Sequence, residues 1–277
     1  MQELLAIARA AALAGGQILK DSRGDLGTVR SKSSSTDSVT DVDLAAGVAV
    51  VRSVLAADPD ARFVIEEDEV YDLAGAARGK LDDAEVWVID PLDGTTSYVH
   101  GYPTYSVSVA VLRHGTPVAG AIYNAALDEL TVAAKDLGAT RDGAPICAGD
   151  VARVRQALVI TGFPYDRGKP LDDTLVVLEA FLRNPVHGIR RDGSAAIDCA
   201  HVASGRADGY WEFGLKPWDV AAGVVILREA GATVTAIDGT PWTPQSDSIC
   251  AANPILHAEM IELIARAPKR RVWISVS

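Results

Sequence analysis

Apolar residues recur at helical spacing from the start of the chain, with Leu4, Leu5, Ala8, Ala11, Ala12, Gly15 and Leu19 on one stripe. Glu3 and Arg9 lie inside the same segment, so residues 2–21 are predicted to form an amphipathic docking helix rather than a signal peptide, which needs an uncharged apolar core. A polar loop over 22–39 leads to a second predicted helix at 41–57, and a short apolar run predicts a strand at 61–65. Val86-Trp87-Val88-Ile89 is a continuous β-branched and aromatic run, which predicts a buried strand over 85–90. Pro91, with no N–H for the ladder, is expected to stop it. Three strands follow at 105–113, 118–125 and 129–134, and the hairpin-like turns between them predict a largely antiparallel sheet. Composition turns polar and Gly-rich between 138 and 154. We place a boundary there, between an N-terminal α+β subdomain (1–145) and a C-terminal α/β subdomain (146–277). In the second half, strands at 157–161, 187–190, 208–213, 232–236 and 248–251 are interleaved with helices at 171–183, 194–204, 218–230 and 254–267, followed by a terminal strand. Alternation of this kind predicts an α/β layer.

With 277 residues and 48% hydrophobic content, the chain is long enough for a substantial core. A net charge of −11 argues against nucleic acid or another polyanion as a partner. It leaves phosphate substrates open, because bound divalent cations reverse the local sign. No segment approaches the roughly 20 apolar residues of a membrane span, so no membrane partner is expected. Cys147, Cys199 and Cys250 are too scattered for a disulfide framework. They suggest a reducing compartment, hence a cytoplasmic location, with each expected to act as a small core hydrophobe. No P-loop, dinucleotide fingerprint or nucleophile elbow is present.

The chemistry concentrates in Asp90-Pro91-Leu92-Asp93-Gly94-Thr95-Thr96. Asp90 falls at the C-terminal end of its strand, where open α/β sheets bind ligands. Asp93 follows within a few ångströms, and two carboxylates so close raise each other's pKa unless a cation sits between them. Carboxylate and carbonyl oxygens suit Mg²⁺, Mn²⁺ or Ca²⁺, whereas His100, His114, His187, His201 and His257 show none of the spacings of a zinc site. Glu66-Glu67-Asp68 ends the strand predicted to neighbour that of Asp90, although a solvated turn has the same composition. Asp219, in Trp218-Asp219, opens a helix. There it either stabilises the macrodipole by roughly 0.3–1 kcal/mol or closes the metal site from the other half of the chain. Thr40-Asp41-Val42-Asp43 has the form of a capping box. Strand alternation turns Glu212 to the side of Tyr210 and away from Trp211 and Phe213, as a substrate contact or a plain surface acid.

Together, the run 90–96, the Glu66-Glu67 pair, Gly193-Ser194-Ala195-Ala196 and Trp218-Asp219 with its Ala-Ala-Gly resemble the inositol monophosphatase family of Mg²⁺-dependent, lithium-sensitive phosphatases. The spacing agrees from Lys32-Ser33-Ser34 to the helix after Asp219. The resemblance implies an α/β fold layered as an α-β-α-β-α sandwich with the site between its halves. It implies Glu66, Asp90, the Leu92 carbonyl and Asp93 as ligands of two metals, Asp219 completing the second, and Glu67 helping to hold a weaker third. The cofactor is then two to three Mg²⁺ ions, with Mn²⁺ able to substitute. Thr95 and Asp43 resemble the pair that, with Glu66, orients and deprotonates the attacking water, a role compatible with capping by Asp43. Asp93, Gly94, Thr95, Thr96, Ser194, Ala195, Glu212 and Asp219 are implied on the substrate side. Lys32 matches a family lysine near the phosphate, but a Lys in a Ser-rich loop is usually just solvated.

Direct attack by water, with no phosphoenzyme, is expected because neither Thr95 nor Ser194 sits in a motif pairing it with a His. The implied substrate is a small phosphorylated polyol, inositol monophosphate above all, with fructose bisphosphate, histidinol phosphate and nucleotide phosphates as rivals. A non-catalytic regulator on the same fold is the alternative, and it predicts loss of a ligand or a water-activating residue. A homodimer is the family's usual state. The chain departs from the pattern at Ile65, where Gly is usual, at Ser97-Tyr98 in place of Asn-Phe, and at Asp192 in place of an apolar residue.

Overall fold

The computed structural model describes residues 1–24, 29–31, 38–166 and 168–267. The apolar stripe of α1 (Gln2–Asp21) is buried at Leu4, Ala8, Ala11, Ala12 and Leu19 and packs on α2 (Asp41–Ala57). Thr40 starts α2. Its hydroxyl accepts the N–H groups of Val42 and Asp43, and Asp43 Oδ2 accepts the Thr40 N–H at 2.8 Å, a reciprocal capping box. Where the sequence predicts only loop, β1 (Val29–Ser31) pairs antiparallel with β2 (Ser38–Thr40). Lys32 and the terminal strand expected beyond residue 267 lie outside the described residues.

The strands β3 (Arg62–Ile65), β4 (Ala77–Arg78), β5 (Val86–Asp93), β6 (Ser106–Arg113), β7 (Thr116–Asn124), β8 (Glu129–Ala134), β9 (Ala139–Arg141) and β10 (Ala144–Pro145) form one sheet in the order β10-β9-β8-β7-β6-β5-β3-β4. Pairing is antiparallel from β5 to β10, while β3 runs parallel to both its neighbours. Short helices α3 (Glu69–Ala74) and α4 (Thr95–His100) follow β3 and β5. Pro91 does not end β5, contrary to the sequence expectation. The strand continues to Asp93, and its register against β6 jumps from Asp90↔Ser108 to Asp93↔Ser106, so that Pro91 and Leu92 oppose Val107 alone. A bulge takes one residue out of the ladder, and a proline is tolerated there because its missing donor is not needed.

A second sheet, in the order β12-β11-β13-β15-β14, contains β11 (Leu158–Thr161), β12 (Gly188–Arg190), β13 (Gly209–Phe213), β14 (Thr233–Thr235) and β15 (Ser248–Ala252). The helices of this half are α5 (Lys169–Arg183), α6 (Ala195–Ala203), α7 (Pro217–Glu229) and α8 (Pro254–Ala265). Helices α1 and α2 cover one face of the large sheet, α6 and α7 lie between the two sheets, and α5 and α8 cover the far face of the second. The result is the layered α-β-α-β-α sandwich.

The central layer explains why α7 is apolar on every side. All of its residues 220–227 are buried, as a helix facing two sheets requires. Small residues set the spacing. A Cβ on Gly120 of β7 would lie 2.8 Å from the Ala222 Cα and 2.9 Å from its carbonyl oxygen, so the obstacle is backbone and α7 itself must move. Gly120→Ala should therefore destabilise the protein by about 1–3 kcal/mol, read as a lower midpoint in thermal unfolding. An unchanged midpoint would show that the layers are not in close contact there.

Cys199 and Cys250 are buried, but Cys147 is exposed, which corrects the expectation that all three are core residues. Among the described residues no helix is long and apolar enough to cross a membrane.

Candidate functional site

The parallel register of β3 and β5 sets Ile65 beside Ile89, and the Glu66 N–H donates to the Ile89 carbonyl at 3.1 Å. Glu66 and Asp90 thus emerge side by side from adjacent strand ends. The β5 bulge then turns Asp93 into the same space, while Leu92 N–H donates to Asp90 Oδ1 at 3.0 Å. From the other half, Asp219 sits in the first turn of α7, where its Oδ2 accepts the Lys216 N–H at 2.7 Å. All four acids line one cavity of about 690 Å³, counting the space open at its mouth. Leu92, Gly94, Thr95, Ser194, Ala195 and Glu212 also line it. Asp43, Glu67 and Thr96 do not. Asp43 is buried behind Thr95, whose hydroxyl lies 3.0 Å from Asp43 Oδ1 and 3.1 Å from the Leu92 carbonyl. Glu67 is buried and Thr96 is exposed.

Crowding of buried acids has a clear electrostatic signature. Burial first, then the charges of Glu66, Asp93 and Asp219, push the Asp90 carboxyl well above the ordinary range. Asp219 is likewise pushed well up by burial and then by Glu66, with the Lys216 N–H opposing. Asp93 is raised by burial to about 6 against the pull of its donors, which include Ser194 Oγ at 2.7 Å and the Ala196 N–H at 2.7 Å. Ser194 is also the cap of α6, accepting from the Ile197 N–H. The start of α6 thereby ties Asp93 to the second half of the chain.

Two glycines let the loops meet. Gly94 has φ of 93°, and a Cβ on it would sit 2.8 Å from the Thr104 carbonyl oxygen and 3.2 Å from that of Gly193. Gly193 itself has φ of 94°. Backbone contact at left-handed torsions is possible here only without side chains.

Several parts of the wall are not evident in the sequence. Arg191 lines the cavity, as do Gly162, Phe163, Pro164 and Tyr165 from the loop after β11. The missing Cβ of Gly162 makes room for the Glu212 carboxylate, whose atoms lie 2.0–2.2 Å from where that Cβ would be. The Tyr210 hydroxyl donates to Glu212 Oε2 at 2.6 Å, and burial raises Glu212 to about 7. The Gly-Phe-Pro punctuation after a predicted strand is the signal that marks this loop. Asp198, on the cavity-facing helix α6, is buried with both carboxyl oxygens lacking a hydrogen-bond partner among the described residues, and burial pushes it well above its ordinary pKa.

The donors facing the cavity are hard oxygens: five carboxylates, Glu212 among them, and the residue that carries the Leu92 carbonyl. Such a set fits Mg²⁺ or Mn²⁺ and not zinc. The acids surround a shared space without closing on one point, and among the described residues no three His, Cys, Asp or Glu side chains form a closed ligand cluster.

The family described as "Inositol monophosphatase family" matches residues 1–269. An inositol-1-monophosphatase of Synechocystis is 39% identical over 269 residues, covering 97% of this chain and 91% of the relative. A protein of Neisseria meningitidis named "Putative Nus factor SuhB" is 35% identical, covering 96% of this chain and 99% of the relative. The structure of an inositol monophosphatase from Anabaena (Nostoc) superposes with a TM-score of 0.84 at 39% identity, covering 96% of this chain and 97% of that one.

Proposed function

Because this chain belongs to the inositol monophosphatase family, we propose that it hydrolyses a small phosphate monoester, inositol monophosphate above all, by direct attack of water in a Mg²⁺-dependent reaction. The observation that carries this reading is the convergence of Glu66, Asp90, Asp93 and Asp219, from three separate segments, on one cavity. Asp90, Asp93 and Asp219 are all pushed toward their neutral forms there. Such a group favours a divalent cation, which replaces protons that burial would otherwise retain. When bound, the ions neutralise phosphoryl charge, lower the pKa of the attacking water and stabilise the departing alkoxide.

The chain's own residues do the positioning. Glu66, Asp90, Asp93, Asp219 and the Leu92 carbonyl are the proposed ligands, with Glu67 helping to hold a third ion. The Thr95 hydroxyl donates to Asp43, which leaves its lone pairs to orient water, and Asp43 and Glu66 draw off the proton. Gly94 allows the phosphate to approach the backbone at 94–96. Ser194, Ala195 and Glu212 contact the hydroxyls of the polyol. The subdomains 1–145 and 146–277 contribute complementary walls. The protein acts in the cytoplasm as a homodimer.

The relative bearing the Nus factor name gives the regulatory alternative some weight. Retention of every proposed ligand and of Thr95 and Asp43 favours catalysis, since a scaffold has no need of them. The test is phosphate release from inositol 1-phosphate with and without Mg²⁺. Turnover is expected with the metal and is lost in chelator. Equal turnover in both would sink the reading.

A further inference from the structure

We propose that Arg191 is a specificity-determining residue that binds a second anionic group of the substrate, so that the site prefers sugar phosphates carrying two anions to those carrying one. This rests on the phosphatase reading above and names the substrate class within it. Among the described residues lining the cavity Arg191 is the one cation, set against five acids. The proposed metals and the scissile phosphate account for Glu66, Asp90, Asp93 and Asp219 at the inner end. Arg191 is not among those proposed ligands, and it lies near enough to Glu212 to act on that carboxyl.

The guanidinium is exposed at the cavity wall and rests near an aromatic ring. Its carbon lies 5.7 Å from the centroid of the Phe163 ring, and Nη1 lies 2.9 Å from where a Cβ on Gly193 would be. The aromatic face attracts the guanidinium, and the bare glycine leaves room for it beside the cavity. Among the described residues its side chain has no ion pair or hydrogen bond. Glu212 feels the guanidinium, which draws its carboxyl down against the effect of burial, but makes no ion pair with it, and one of its oxygens is held by the Tyr210 hydroxyl at 2.6 Å. Beside the proposed ligands the cavity thus offers one acceptor for a hydroxyl and one planar donor fork free of hydrogen bonds. Such a fork matches the paired oxygens of a phosphate or a carboxylate.

Matched substrate pairs test this. Fructose 1,6-bisphosphate and fructose 1-phosphate differ only in a second phosphate, and 6-phosphogluconate and glucitol 6-phosphate only in a carboxylate. In the wild type with Mg²⁺, kcat/KM should favour the member with the second anionic group in at least one pair by about 10–100-fold, chiefly through KM. The pair that responds identifies the second anion as phosphate or carboxylate. Arg191→Met should bring that ratio close to one, and Arg191→Lys should keep part of it, in protein whose thermal midpoint shows it folded. The inference is overturned by a wild type with no preference in either pair, a result that needs no variant, or by a ratio that survives in Arg191→Met. A wild type releasing phosphate from inositol 1-phosphate but showing no preference defeats this inference alone. A wild type releasing phosphate from none of these esters defeats the phosphatase reading itself.

Discussion

Replacing Asp93 with Asn is expected to lower kcat by about 10³-fold while leaving the protein folded, because it removes about 4 kcal/mol of the transition-state stabilisation that a divalent cation held by Asp93 would supply. The fold should survive because the local donors remain satisfied. Ser194 Oγ and the Ala196 N–H both donate to Asp93 Oδ2, and the Asn carbonyl oxygen can accept both. Its NH₂ then replaces the remaining oxygen, so the charge is lost and a donor meets the place where a cation needs an acceptor. Magnesium affinity, followed by titration against turnover, should weaken with kcat. Preserved turnover in Asp93→Asn with metal removed would rule the mechanism out.

Glu212→Gln should have the opposite effect on stability, and one that depends on pH. Burial raises Glu212 from an ordinary 4.5 to about 7, so the folded state holds a proton that the unfolded state releases. The stability it contributes is therefore fully present below about pH 4.5 and is lost as pH rises through about 7. Gln cannot ionise and still accepts from the Tyr210 hydroxyl. In chelator, the variant and the wild type should unfold together at pH 4, and the variant should be more stable at pH 8 by up to about 3 kcal/mol. This is read from thermal or denaturant unfolding at both pH values. A difference that does not grow with pH would mean that Glu212 is solvated.

Long periodic segments declared themselves in the sequence, because burial on one face writes a pattern that no local effect disguises. Helix α2 runs over the predicted residues, its start marked by the Thr40–Asp43 box, and the β6-β7-β8 meander follows its turns. Of the strands of two or three residues, β12 and β14 were read from their place between predicted helices and strands, and the others were not legible. β1, β4, β9 and β10 are too short to alternate, and β9 with β10 falls in a Gly-rich stretch that reads as a boundary. The bulge at Pro91 was missed because the donor lost at a proline argues against a strand unless the partner's register is known.

The same distinction runs through the site. Glu66, Asp90, Asp93 and Asp219 were visible as acids at the ends of predicted elements, where a strand or helix terminus fixes direction. Arg191 was not, since one of two adjacent arginines ahead of a glycine looks solvated until Phe163 is seen beside it. Nor does sequence distance reveal that Asp43 stands behind Thr95, 52 residues later in the chain.

The shared middle layer also constrains how a ligand gets in. With α6 and α7 packed against both sheets, a hinged swing of one half away from the other would strip apolar surface from one side of that layer, so jaw-like closure is closed to this architecture. Variation at the cavity wall falls instead to the irregular segment from Gly162 to Tyr165, which lines the cavity from outside any strand and packs on Glu212 and Gly214 at the end of β13. Selectivity in such a scaffold can drift by remodelling that wall while the spacing of the carboxylates stays locked.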